Sequence, residues 1–144
     1  LIEVSVSHDV ARPPAAVFAF VAEPDNLPEW DVAVVQARRE FTGPPQLGHR
    51  AWTIRRFPAW QAEVVWEITT FEEPTTFELR SVSGPYSMRA NYRYTPTDSG
   101  GTHIDLQLAV DIDQWLMGFS SFIGNIMRNE LEQSLIQLEQ RLRQ

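Results

Sequence analysis

The sequence contains no cysteine and no lysine, and all twelve of its basic residues are arginine. Without cysteine there is no disulfide framework, no thiol nucleophile and no cysteinyl metal site. Without lysine there is no Schiff-base chemistry and no phosphate-binding P-loop, whose lysine is part of the mechanism. Positive charge is scarce: nineteen acidic residues against twelve basic ones leave a formal charge of −7. The basic stripe that neutralises nucleic-acid phosphates is therefore missing, and no nucleic-acid partner is expected. Long apolar runs are absent too. Residues 114–127 form the longest uncharged stretch near the C-terminus, and Gly118, Ser120, Ser121, Gly124 and Asn125 interrupt it. It falls short of the roughly 20 apolar residues that span a bilayer. The first ten residues, LIEVSVSHDV, lack a charged start followed by a continuous apolar core, so they do not read as a signal peptide. A soluble, cytoplasmic protein is the expectation. The 144 residues suffice for one domain, 1–144, that buries its own core as a monomer or a homodimer.

What is present is strong periodicity. Ile2, Val4 and Val6 alternate with Glu3, Ser5 and Ser7, the pattern of a strand with one buried face. Pro13-Pro14 break that strand and preset a helix carrying Val17, Phe18, Phe20 and Val21, which Pro24 stops. Residues 23–31 read as a second short helical turn, with Asp25 or Asn26 as cap and Trp30 as apolar anchor. Strand-like runs follow at 32–41, 50–57, 60–71, 76–83, 86–95 and 102–110, separated by turn residues. Their short connections require antiparallel pairing, hence a six-stranded meander. One face carries Ala62, Val64, Trp66 and Ile68; the other carries Glu63, Glu67, Glu78, Arg80, Arg89 and Arg93 and reads as solvated. By parity Trp52, Ile54 and Arg56 share a face, and if the two apolar residues point inward the arginine reaches the mouth of any interior space. Residues 114–142 follow helical spacing, with Asp111 or Asp113 as cap. The first half of that helix is apolar over the wider arc, which predicts deep burial there and simple amphipathic packing in the second half. Gly118 and Gly124 within it predict a close approach or a bend. The class is α+β.

The run Pro13-Pro14-Ala-Ala-Val17-Phe18 through Pro28-Glu29-Trp30, with Gly48 opening a strand and the Arg-Ser-Val-Ser-Gly84-Pro85 turn, resembles the START-like or Bet v 1-like helix-grip superfamily (SRPBCC). Within it the chain is most similar to bacterial polyketide cyclase/dehydrase and lipid-transport-like proteins, over essentially its whole length. The resemblance implies a curved seven-stranded antiparallel sheet wrapped around a long C-terminal helix, two short helices between the first two strands, and an apolar cavity. It implies hydrophobic ligands: polyketides, sterols and other lipids, quinones.

Trp30, Trp52, Trp66, Leu79, Met88, Tyr92, Phe119, Phe122, Ile123 and Met127 are the bulky residues expected to line that cavity. Any one of them alone is more often plain core. If the protein is an enzyme, Arg56 and Tyr92 are the candidates to orient and polarise a carbonyl, as a cofactor-independent cyclase or dehydratase would. Aromatic polyketide cyclases of this fold carry polar and basic groups well inside, whereas here the central strand offers Ala62, Val64, Trp66 and Ile68. Asp31 reads as a general base or, more often, as a turn carboxylate. His8, His49 and His103 are scattered, so neither metal nor cofactor is expected. Ser120-Ser121 lacks the strand-to-helix elbow of a hydrolase nucleophile. The leading expectation is binding of a small hydrophobic ligand. The alternatives are the cyclase or dehydratase and a co-chaperone-like protein-interaction domain.

Overall fold

The computed structural model describes residues 1–143. In chain order it runs β1 (Ile2–Val10), α1 (Pro14–Ala22), a 3-10 turn (Pro24–Asn26), α2 (Leu27–Trp30), β2 (Val34–Arg39) and β3 (Arg50–Phe57). Then come β4 (Trp60–Glu72), β5 (Thr76–Ser83), β6 (Ser87–Pro96), β7 (Thr102–Asp111), a second 3-10 turn (Gln114–Phe119) and α3 (Ser120–Leu142). The seven strands form one antiparallel sheet in the order β1-β7-β6-β5-β4-β3-β2, so the expected meander is present and β1 rejoins it beside β7. Among the described residues no helix is long and apolar enough to cross a membrane.

The inner face follows from alternation. Ile2, Val4 and Val6 oppose Val110, Leu108 and Leu106, and all six are buried. Pro14 at the start of α1 fixes the helical φ. Phe18 packs edge-on against Phe71, Phe77 and Tyr94 at 5.0, 5.8 and 5.9 Å. Asn26 holds the N-cap position of α2 but makes no side-chain capping bond, and Asp25 caps neither turn. The Glu23 carboxylate caps the 3-10 turn, accepting from the Asp25 N–H, while the Asn26 amide donates to Phe20 O.

The expected orientation of β3 is reversed. Pro58-Ala59 form a two-residue turn that places Phe57 opposite Trp60, which pairs Arg55 with Ala62, Thr53 with Val64 and Ala51 with Trp66. Cross-strand partners share a face. Because Val64 and Trp66 are buried, the inward residues of β3 are Ala51, Thr53, Arg55 and Phe57. Trp52, Ile54 and Arg56 lie on the outer face, where the Arg38 guanidinium covers the Trp52 ring at 4.5 Å. Thr53 inside is satisfied by donating its hydroxyl to Val64 O at 2.7 Å.

The burial of the terminal helix is reversed as well. Leu131, Leu135, Leu138 and Leu142 in its second half are buried, whereas Trp115, Phe119 and Phe122 are 74%, 59% and 66% exposed. The second half rests on β1 and α2 and is tied down by polar contacts. Ser134 Oγ accepts from the Val32 N–H at 3.0 Å, and the His8 ring donates to Glu139 Oε1. That hydrogen bond, with help from Arg143, holds the Glu139 carboxyl below its ordinary range. Residues 114–119 form the 3-10 turn rather than α-helix, and Asp113 precedes it without a side-chain cap.

Gly124 does sit close to β1, but a Cβ there would lie 3.8 Å from Ile2 Cγ2 and 3.9 Å from Val4 Cγ1, ordinary contact distances. Gly124→Ala is therefore expected to stabilise the protein by about 1 kcal/mol through helix propensity, read as a higher urea midpoint. A drop in that midpoint would show that the helix needs the glycine.

The outer face is polar, with Arg50 Nε donating to Glu67 Oε1 at 3.0 Å. On the β1–β7 edge His103 bridges Asp9 at 2.5 Å and Asp105 at 3.3 Å. The Asp9 hydrogen bond raises the imidazole pKa above its ordinary value, and the Asp105 charge adds to this against modest desolvation. A raised folded-state pKa contributes stability that is complete below the unfolded value, 6.5, and is lost as pH climbs through the folded one. The wild-type urea midpoint should fall across that range, and His103→Gln should flatten this part of the profile.

Candidate functional site

Between the inner face of β3, β4, β6 and β7 and the first half of α3 lies a cavity of about 440 Å³. Its sheet side is Phe57, Trp60, Tyr86, Met88, Leu108 and Val110. Its helix side is Phe122, Ile123, Ile126 and Met127 of α3, with Ile112, Trp115, Leu116 and Phe119 from the connecting segment. Ile126 and Met127 both follow Ile123, and both precede Glu130, by three or four positions, so successive turns present these residues to one side. The short β3–β4 turn builds an aromatic wall: Phe57 and Trp60 stack at 4.9 Å and 23°, and Tyr86 meets them edge-on at 5.6 and 6.2 Å. A mostly apolar concavity of this volume is typical of small-molecule sites.

The lining contains three charged residues, Arg55, Arg56 and Glu130. Arg55 and Asp31 are 11% and 15% exposed at the side chain and stand 3.8 Å apart, too far for a hydrogen bond. The Arg55 guanidinium also lies 6.0 Å from the Trp66 ring. Arg56 is exposed at the rim, where Nη1 donates to Val32 O at 3.4 Å. Burial raises the Glu130 carboxyl pKa above its ordinary value; Asp31 adds to the rise, and Arg55 and Arg56 oppose it.

A second chamber of about 30 Å³ is lined by Asp31, Trp66, Leu79 and Tyr92 and shares Arg55 and Leu108 with the main cavity. It has room for roughly one water. The Tyr92 hydroxyl pKa is raised, first by burial and then by the Asp31 charge, so this phenol stays protonated as a donor. Among the described residues no group of His and carboxylate side chains is placed to hold a metal ion.

Of the residues expected from sequence to line a ligand site, the structure brings Met88, Phe119, Phe122, Ile123 and Met127 together around the main cavity. Trp66, Leu79 and Tyr92 border the small chamber instead. Trp30 is core, 1% exposed and edge-on to Tyr92 at 6.2 Å, and Trp52 is on the opposite face of the sheet. Arg56 and Tyr92 are not brought together: one stands at the rim of the main cavity, the other at the small chamber. Arg55, Phe57, Trp60 and Glu130 escaped the sequence reading. The signal for the first three was the two-residue Pro58-Ala59 turn, and for Glu130 its place three residues after Met127 on the apolar side of the helix.

Residues 2–143 match a family model described as polyketide cyclase / dehydrase and lipid transport. The chain belongs to this family. Among solved structures the polyketide cyclase / dehydrase and lipid transport chain is similar to TTHA0849 from Thermus thermophilus, with TM-score 0.82 and 17% identity over 96% of this chain and 95% of that one. A START superfamily protein from Mycobacterium smegmatis matches with TM-score 0.80 and 15% identity, again over 96% and 95%. Ara h 8.0201 matches with TM-score 0.67 and 14% identity over the same shares. At such identities these likenesses establish the helix-grip fold alone. A search of curated proteins by sequence finds no match.

Proposed function

We propose that this family member binds a small hydrophobic molecule, aromatic or lipid-like, between the sheet and the first half of α3. The observation that carries the reading is the cavity of about 440 Å³, walled by aromatic and aliphatic side chains and bordered by exposed Trp115, Phe119 and Phe122. A co-chaperone-like interaction domain is instead expected to have a solid, fully packed interior. Apolar groups at the border extend the contact available to an entering ligand, since each Å² removed from water is worth about 25 cal/mol.

The test is a panel of quinones, polyketides and fatty acids, followed by tryptophan fluorescence and thermal melting. Trp60 and Trp115 line the cavity and should report a bound ring or chain. A ligand at a hundred times its Kd should raise stability by about 2.7 kcal/mol, a rise of several degrees in Tm. No response across the panel would remove the reading.

A further inference from the structure

The cavity is apolar except at one end, where Arg56 donates to Val32 O and Arg55 is ion-paired with Asp31, but neither the Arg55 nor the Glu130 side chain makes a hydrogen bond among the described residues. Arg55 is nearly buried, yet its five N–H groups meet no hydrogen-bond acceptor among the described residues; Asp31, the nearest carboxylate, is 3.8 Å away. Glu130, half-buried on the helix side of the same end, likewise has no hydrogen-bond partner among the described residues. Two cations, Arg55 and Arg56, and two carboxylates, Asp31 and Glu130, act on this end, so their charges nearly cancel. A carboxylate on the ligand would add a third anion. A hydroxyl has an acceptor oxygen for a guanidinium and a donor hydrogen for a carboxylate, and it adds no charge.

We propose that the molecule held here is a neutral amphiphile whose apolar body fills the cavity and whose alcohol or phenol group lies between Arg55 and Glu130, accepting from the first and donating to the second. The inference rests on the cavity being the binding site, and its test separates the two. Calorimetric titration at pH 7 compares three probes with one apolar body: para-phenylphenol, its methyl ether, and biphenyl-para-carboxylate. The ether oxygen still accepts from Arg55 but has no hydrogen to give Glu130. One hydrogen bond to a charged group corresponds to about tenfold in affinity, so the phenol should bind about tenfold tighter than the ether. Glu130→Met should abolish that preference. Glu130→Gln, whose amide oxygen still accepts, should keep part of it. Equal binding of phenol and ether to the wild type overturns the assignment of the head group while leaving the cavity as the site. Tighter binding of the carboxylate overturns it in favour of an anionic head. Failure of all three probes to bind overturns the cavity reading itself, and this inference with it.

Discussion

Replacing Ile123 and Met127 together by tryptophan is expected to weaken binding of an apolar probe by about a hundredfold while the protein stays folded. Both side chains line the cavity from adjacent turns of α3, so two indoles project into space that the ligand would otherwise occupy. If they displace about 100 Å² of ligand contact, ~25 cal/mol per Å² gives about 2.5 kcal/mol, close to two decades in Kd. Neither residue belongs to the fully buried leucine row of α3, so the helix keeps its seat on β1. Titration calorimetry reads the affinity and urea unfolding checks the fold. Unchanged affinity in a folded double variant would place the ligand outside the cavity.

The sheet was legible because its strands alternate cleanly and are separated by proline and glycine turns. The bounds expected for 50–57 and 76–83 coincide with β3 and β5. Which face of β3 turns inward was not legible from β3 alone. Trp52 and Ile54 look like core residues by size, whereas Ala51, Thr53 and Arg55 do not. The decision lies in the β3–β4 pairing, where one residue of register moves every side chain to the other face. The buried Val64 and Trp66 then take Thr53 and Ala51 as partners. That choice carries Arg55 into the site and leaves Arg56 at its rim.

The terminal helix misled for a different reason. A wide apolar arc from Trp115 to Met127 predicts burial only where a packed neighbour exists, and here the neighbour is the cavity itself. The row Leu131, Leu135, Leu138 and Leu142, apolar on a narrower stripe, is the part that is buried. The composition also takes on a sharper meaning. The sequence has no lysine, yet the interior is not free of charge: Arg55 and Glu130 line one end of an apolar space, with Arg56 at its rim.

Trp30 carries the largest expected effect on stability. Its ring is 1% exposed and packs against Tyr92 in the core, beneath the junction of α2 and α3. Truncation to alanine removes that area and leaves a void that rigid neighbours fill only in part, at a cost of about 3–5 kcal/mol. For a chain of this size Tm should fall by roughly 10–20 °C. The indole N–H, however, is buried without an acceptor among the described residues. An unpaired buried donor costs about 1–3 kcal/mol, so Trp30→Phe, which deletes the donor and keeps an aromatic ring, should lose much less than half of what Trp30→Ala loses. Equal losses in the two variants would mean that the N–H is satisfied in solution. Because Trp30 does not border the main cavity, Trp30→Phe should also leave ligand affinity unchanged. A loss of affinity in that folded variant would return Trp30 to the ligand site where its size and chemistry first placed it.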